Sequence, residues 1–207
     1  MVQTIQASDI TLAELTAKFG LTLVREPDFF PEWQQASPEA TDLERSILDR
    51  VQANFLAFME RPPVLENSVK MVVLSPLLDL AGFYRTPYRI ETETSVELKM
   101  EDEGEIIRGR IDVLVVHSAL WVLVIESKRA AFDIATAIPQ ALAYMLANPV
   151  NRPSFGLITN GHGFMFLKLT RQPTVQYSNS RVFSLFNPGN ELNQVLQVLK
   201  KLGDAIA

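Results

Sequence analysis

The stretch IIRGRIDVLVVHSALWVLVIESK (106–128) decides how the rest of the chain is read. IIRGRIDVLVV (106–116) is dense in β-branched residues, and LWVLVIESK (120–128) is a second run of the same kind. The few residues between them suit a tight connection, so the pair reads as a β-hairpin. A turn near 117–119 places Asp112 opposite Glu126. Residues two apart on a strand share a face, so Lys128 joins Glu126 on the face that carries Asp112. Two carboxylates and a lysine therefore meet at the ends of strongly apolar strands.

Working outward, SVELKM (95–100) alternates as a strand that precedes this hairpin, with EDEGE (101–105) as a charged turn between them. DIATAIPQALAYMLAN (133–148) has a helical period, with Thr136 as its expected cap and Pro139 in the first turn, where a missing N–H has no intrahelical partner to lose. SFGLITN (154–160) and GFMFLKLT (163–170) read as two more strands, TVQYSNSRVFSL (174–185) contains another, and a last helix spans about 190–204. The order of helix, three strands, helix, strands and helix predicts an α/β fold with a mixed central β-sheet flanked by helices.

Upstream, Thr11 with Glu14 and Thr41 with Glu44 form capping-box patterns that open two helices. The first is stopped by Gly20. The second carries apolar residues at Leu43, Ile47, Leu48, Val51, Phe55, Phe58 and Met59 and is closed by Pro62-Pro63. EPDFFPEW (26–33) between them is an irregular connection. Residues 1–63 are thus expected to be an N-terminal helical extension packed on a core of 64–207. A further helix is expected over about 65–81, where Pro76 kinks or restarts it and Gly82 ends it.

Composition limits the chemistry. Among 207 residues there is no cysteine, which excludes disulfide scaffolds, thiolate zinc sites, iron–sulfur clusters and cysteine nucleophiles. No GxxxxGK[ST] loop is present, so this chain is not expected to be a nucleotide-driven motor. ALWVLVI (119–125), the longest apolar run, is too short to cross a membrane, and the expectation is a soluble, cytoplasmic protein. The net charge of −5 argues against coating nucleic acid by charge alone. Its distribution is uneven: residues 1–66 hold 11 acids and 5 bases, whereas residues 106–207 hold 5 acids and 10 bases.

Carboxylates brought together in an apolar setting repel each other unless a proton or cation neutralises them. Oxygen donors without cysteine, and with only two histidines, favour magnesium or manganese over zinc. His117 and His162 lie in expected turns and are not candidate ligands. Glu44 is explained by its capping box, and a solvated cross-strand ion pair, worth about 0.5 kcal/mol, is the plain alternative for Glu126 and Lys128.

Asp112 followed by Glu126-Ser127-Lys128 resembles the PD-(D/E)XK nuclease signature, with Ile111 where proline often stands. Gln140 and Tyr144 resemble the Q-x-x-x-Y element of the following helix. The likeness is closest to the N-terminal nuclease domain of type I restriction enzyme R subunits, carried also by Glu66, SPLLDLAGF (75–83) and LITNG (157–161). It covers roughly residues 64–170.

The resemblance implies a restriction-endonuclease-like core and a metal-dependent DNA endonuclease without a helicase motor. It implies that Asp112, Glu126, the Ser127 main-chain carbonyl and Glu66 hold Mg2+ or Mn2+, that Lys128 acts on the attacking water, and that Gln140 supports it. Arg108, Arg110, Arg129 and Arg152, the bases nearest the motif in sequence, are the expected phosphate contacts. Expected partners are DNA and either a second copy in a homodimer or a separate motor or specificity subunit, with no membrane. The alternative function is a non-catalytic nucleic-acid-binding or assembly module that keeps the nuclease fold.

Overall fold

In the computed structural model, which describes residues 3–34, 39–99, 105–117 and 120–205, the hairpin around Asp112 forms the middle of a large mixed sheet. The chain runs β1 (Gln3–Gln6), α1 (Leu12–Phe19), β2 (Thr22–Leu23), α2 (Asp42–Met59), α3 (Glu66–Val69), α4 (Ser75–Leu80), β3 (Tyr88–Lys99), β4 (Glu105–His117) and β5 (Leu120–Ser127). It continues through α5 (Ile138–Leu146), β6 (Ser154–Thr159), β7 (Gly163–Thr170), β8 (Gln176–Asn179), β9 (Phe183–Ser184) and α6 (Leu192–Asp204). Strand order is β1-β4-β5-β6-β7-β8-β2, with β3 also on β4 and β9 also on β7. This is the mixed α/β architecture expected, although the charged turn at 101–104 and residues 118–119 of the hairpin connection lie outside the described residues.

The register of β4 with β5 is the expected one: Val113 faces Ile125 and Val115 faces Leu123, with a shift between Val115 and Val116. Continued by one residue, it brings Asp112 opposite Glu126. One edge of β4 is covered by antiparallel β3, from Tyr88 against His117 to Lys99 against Ile106. The other edge is shared. Parallel β1 takes 105–108, and β5 takes Val113 onward. Residues 109–112 lie between these two neighbours, and the sheet forks at Asp112.

β5 and β6 run parallel, so the chain between them, including α5, makes the crossover that a parallel pair requires. Apolar residues fill both faces of the sheet. One layer gathers Leu48, Val51 and Phe55 of α2, Leu77 and Leu78 of α4, and Leu192, Val195, Leu196 and Leu199 of α6 over Val113, Val115 and Ile125. The other gathers Ile10, Leu15 and Leu21 with Ala141, Leu142 and Met145 of α5 over Ile107, Ile111, Leu114 and Ile158.

Both N-terminal capping boxes form as the sequence predicts, and Gly20 ends α1 in a left-handed conformation with φ 64°. The first 63 residues differ from a purely helical extension, because β1 and β2 join the sheet and Phe30 enters a core layer. Such short strands of four and two residues take their stability from the neighbours they pair with. Lys168 pairs with Glu32 at 2.7 Å among Phe29, Phe30 and Phe155, which fastens the irregular segment to the sheet.

Two helix details differ from expectation. A single π-helical turn at Lys70–Leu74 joins α3 to α4, with the Ser75 N–H donating to the Lys70 carbonyl, and Pro76 falls just after it, where its missing N–H is absorbed in the first turn of α4. Thr136 is not the cap of α5. Residues 134–137 form a 3-10 turn capped by Asp133, whose side chain accepts from the Ala135 N–H, and α5 begins at Ile138. Among the described residues no helix is long and apolar enough to cross a membrane.

Candidate active site

The fork in the sheet explains why an acid at position 112 is held so firmly. Where β5 leaves β4, the Ser127 N–H donates to Asp112 Oδ2 at 2.7 Å, so a side chain takes over a bond that would otherwise belong to the strand ladder. Asp112 Oδ1 accepts from Lys70 Nζ at 2.9 Å. Burial raises the Asp112 carboxyl above the usual carboxylate range, against the pull of Lys70 and the Ser127 N–H.

Glu126 is deeper still, with only 3% of its side chain exposed. Lys128 donates to its Oε1, while Oε2 is buried without a hydrogen-bond partner. Burial first, then the nearby Asp112 carboxylate, pushes Glu126 up to about 7 despite Lys128. The Ser127 hydroxyl is likewise buried and unpartnered.

Lys128 is oriented by a relay from α5. Its ammonium donates to Gln140 Oε1 at 2.9 Å, Gln140 Nε2 donates to Tyr144 Oη at 2.8 Å, and the same Oη accepts from the Arg110 main-chain N–H at 3.3 Å. Because Gln140 sends its amide N–H2 to Tyr144, its carbonyl is left to face the lysine. Residues four apart on α5 make this alignment natural. The relay requires Tyr144 to pass over β4 without a side chain beneath it, and position 109 is glycine: a Cβ there would lie 2.5 Å from Tyr144 Cε1.

The structure thus brings together Asp112, Glu126, Ser127, Lys128 and Gln140. Glu66 is reached through Lys70, whose Nζ lies 2.9 Å from Glu66 Oε1 and also contacts Asp112. Burial works against the charge on Lys70, but hydrogen bonds to Glu66 and Asp112 outweigh it and hold its pKa above the ordinary lysine value. Glu93 closes the group from β3. It lies at the rung opposite Asp112, its Oε1 is 3.3 Å from Lys70, and its Oε2 is 3.3 Å from Arg110. Its φ of 55° is left-handed, which costs a residue with a Cβ on the order of 1–3 kcal/mol.

Lys70 and Glu93 were not among the candidates read from the sequence. The spacing Glu66–Lys70, four residues on one helix, was an available signal for the lysine; nothing local marks Glu93.

Oxygen donors alone, with one buried carboxylate oxygen lacking any donor, fit a hard divalent cation. Even so, among the described residues no three acids or histidines converge as a ready-made ligand set. The ammonium groups of Lys70 and Lys128 hold the oxygens that such an ion would need.

The four candidate arginines separate. Arg108 on β4 pairs with Glu97 at 2.8 Å and Arg110 with Glu93, both largely exposed, and Arg129 is exposed immediately after Lys128. Arg152 lies elsewhere. It precedes β6, whose Ile158 is the residue that pairs with Glu126, and six strand residues put it about 20 Å away, at the opposite end of the sheet. There it lines a cavity of about 100 Å³ with Glu32, Trp121 and Phe155. His162 is a structural residue, bonded to the Ala130 carbonyl at 3.1 Å and packed on Phe186.

With this geometry in place, the comparisons with known proteins bear on one family. No curated protein matches the chain. Among solved structures, a fragment assigned as an HsdR subunit of a type I restriction enzyme from Vibrio vulnificus YJ016 is similar, with 19% identity and a TM-score of 0.41. The match covers 67% of this chain and 26% of that one, so the chain spans about a quarter of that relative's length. The family model for the type I restriction enzyme R protein N terminus matches residues 23–175, beginning some 40 residues before the stretch in which the sequence motifs lie. The chain belongs to the family of type I restriction enzyme R protein N-terminal regions.

Proposed function

We propose that the protein is a divalent-metal-dependent endodeoxyribonuclease that hydrolyses phosphodiester bonds at the fork between β4 and β5. The observation that carries this reading is the connected set of Asp112, Glu126, Lys128, Gln140 and Tyr144 around a buried carboxylate with an unsatisfied oxygen. A structural ion pair needs no relay to orient its lysine; a lysine that must address a reacting atom does.

Asp112, Glu126 and the Ser127 carbonyl would hold Mg2+ or Mn2+, with Glu66 as a further ligand. Such an ion supplies Lewis-acid polarisation of the phosphoryl group and a lowered pKa for its bound water. Lys128, held by Gln140 Oε1, carries a fixed positive charge to the place where negative charge builds up on the phosphorus oxygens. Tyr144 and the Arg110 main chain keep Gln140 from turning, so the lysine is steadied in one direction. Arg110 and Arg129 border the site, Arg108 lies four residues along β4 from Asp112, and all three suit phosphate contact, which positions a duplex without reading its sequence. Arg152 is too far away to serve the same phosphates.

A second reading has one observation in its favour. Lys70 already neutralises Asp112 and Glu66, as would suit a binding or assembly module that keeps the fold without metal. In a multisubunit restriction system, the motor and specificity functions would come from other chains or regions.

Kinetics separate the two. Asp112→Asn, Glu126→Gln and Lys128→Ala should each abolish cleavage of DNA, and their double combinations should lose little more than the singles, as residues acting as one unit do. Small, additive losses would refute the shared site.

A further inference from the structure

Lys70 occupies the centre of the carboxylate group. Its ammonium lies 2.9 Å from Glu66, 2.9 Å from Asp112 and 3.3 Å from Glu93, with 17% of the side chain exposed. It begins the π-helical turn between α3 and α4. Glu93 faces the same ammonium from a left-handed position inside β3, between the regular pairs Thr92 with Val113 and Thr94 with Ile111. A side-chain-bearing residue keeps such a conformation only where its surroundings impose it, and here the result is to aim a carboxylate at Lys70 and Arg110.

We infer that Lys70 is a resident counter-cation that competes with a divalent ion for Asp112, and that Glu93 is the acceptor that keeps the lysine when Asp112 is given up. This rests on the metal-binding reading above. An ammonium and a divalent cation cannot share one carboxylate oxygen at close range, because like charges in a poorly solvated site repel strongly. The lysine has three N–H donors on a flexible stem, now spread over three acids. Giving up Asp112, and Glu66 with it, to the ion leaves Glu93 within reach. Glu93 is 53% exposed against 12% for Asp112, so a shift toward it moves the ammonium toward water rather than deeper into the protein.

The test is calorimetric titration of Mn2+ into the full chain, with thermal melts in chelator and in saturating Mn2+. Lys70→Met should bind Mn2+ roughly tenfold more tightly, the scale of one surrendered ion pair. It should melt lower than wild type in chelator, and the deficit should close in Mn2+. Lys70→Gln, which retains polar contacts, should show the same tightening should the methionine variant fail to fold. Glu93→Gln, which leaves the lysine less well received, should weaken Mn2+ binding.

Arg89→Ala provides the control, since Arg89 pairs with Glu91 on β3, and its loss removes a positive charge near the site without touching Glu93 or Asp112. Its Mn2+ affinity should stay within about twofold of wild type. An equal tenfold gain in Arg89→Ala would show that net charge, not competition for Asp112, sets the affinity, and would overturn the inference. If wild type binds Mn2+ and neither Lys70 variant binds more tightly, the inference fails alone. If no form binds Mn2+, the metal-binding reading fails with it.

Discussion

Replacing Glu126 by glutamine should change how the metal-free protein responds to pH. In the folded chain Glu126 titrates at about 7 rather than 4.5, because its carboxylate is buried beside Asp112. A raised carboxyl pKa means that the neutral form fits the fold. Below pH 4.5 the group is protonated both folded and unfolded and imposes no penalty; stability is then lost as pH rises from 4.5 through 7, the interval in which the unfolded chain holds fewer protons, and the loss is complete above it. The gap of about 2.5 units corresponds to about 3 kcal/mol, and the side chain is 3% exposed, so solvent screening takes little from it. Glu126→Gln is neutral throughout and escapes this loss. Urea unfolding in chelator, followed by the fluorescence of Trp33 and Trp121, should therefore show similar stabilities at pH 4.5. At pH 8 the variant should gain about 3 kcal/mol on wild type, or roughly 6–12 °C in melting temperature. Parallel pH curves for the two proteins would refute the claim that Glu126 is held as an uncomfortable buried carboxylate.

Other consequences can be read from particular contacts. Gly109→Ala should destabilise the fold by about 1–3 kcal/mol by forcing a Cβ against Tyr144 and Ala7, seen as a lower denaturation midpoint. Tyr144→Phe removes the acceptor of two N–H groups; it should slow cleavage by roughly tenfold with DNA affinity unchanged, since the relay positions Lys128 rather than binding substrate. Lys168→Met should cost about 3 kcal/mol by leaving Glu32 half-buried and unpaired, and adding Glu32→Gln should recover part of that loss in a double-mutant cycle. DNA binding should fall steeply with salt, and alanine at Arg108, Arg110 or Arg129 should weaken it on every sequence, whereas Arg152→Ala should leave it unchanged.

The contrast between Arg129 and Arg152 shows what could be read from the sequence. Local rules worked where chemistry is local: two capping boxes fixed the starts of α1 and α2, and the two-residue period of β4 and β5 put Asp112 opposite Glu126 in the correct register. Gln140 and Tyr144 aligned because residues four apart on a helix must. Arg152 is near the motif in number but not in space, because β6 runs parallel to β5 and so starts at the far end of the sheet.

Long-range pairing was hidden for the same reason. QTIQ and TL are too short for their periodicity to announce strands, and only β4 and β8 make them so. Burial of crowded acids pointed to a cation at the site, yet the cation the chain itself supplies, Lys70, becomes visible only when α3 is laid against β4. The left-handed backbone of Glu93 is set by the strands around it and leaves no trace in ETETS.

Whether the fork at Asp112 hydrolyses DNA with the help of a divalent ion is decided by incubating the purified chain with supercoiled and linear DNA. Nicked and linear products are expected with Mg2+ or Mn2+, none in chelator, and none from Asp112→Asn at any metal concentration. Cleavage that persists in chelator or in Asp112→Asn, or no cleavage by wild type under metal concentrations at which binding is saturated, would rule out metal-assisted hydrolysis at this fork.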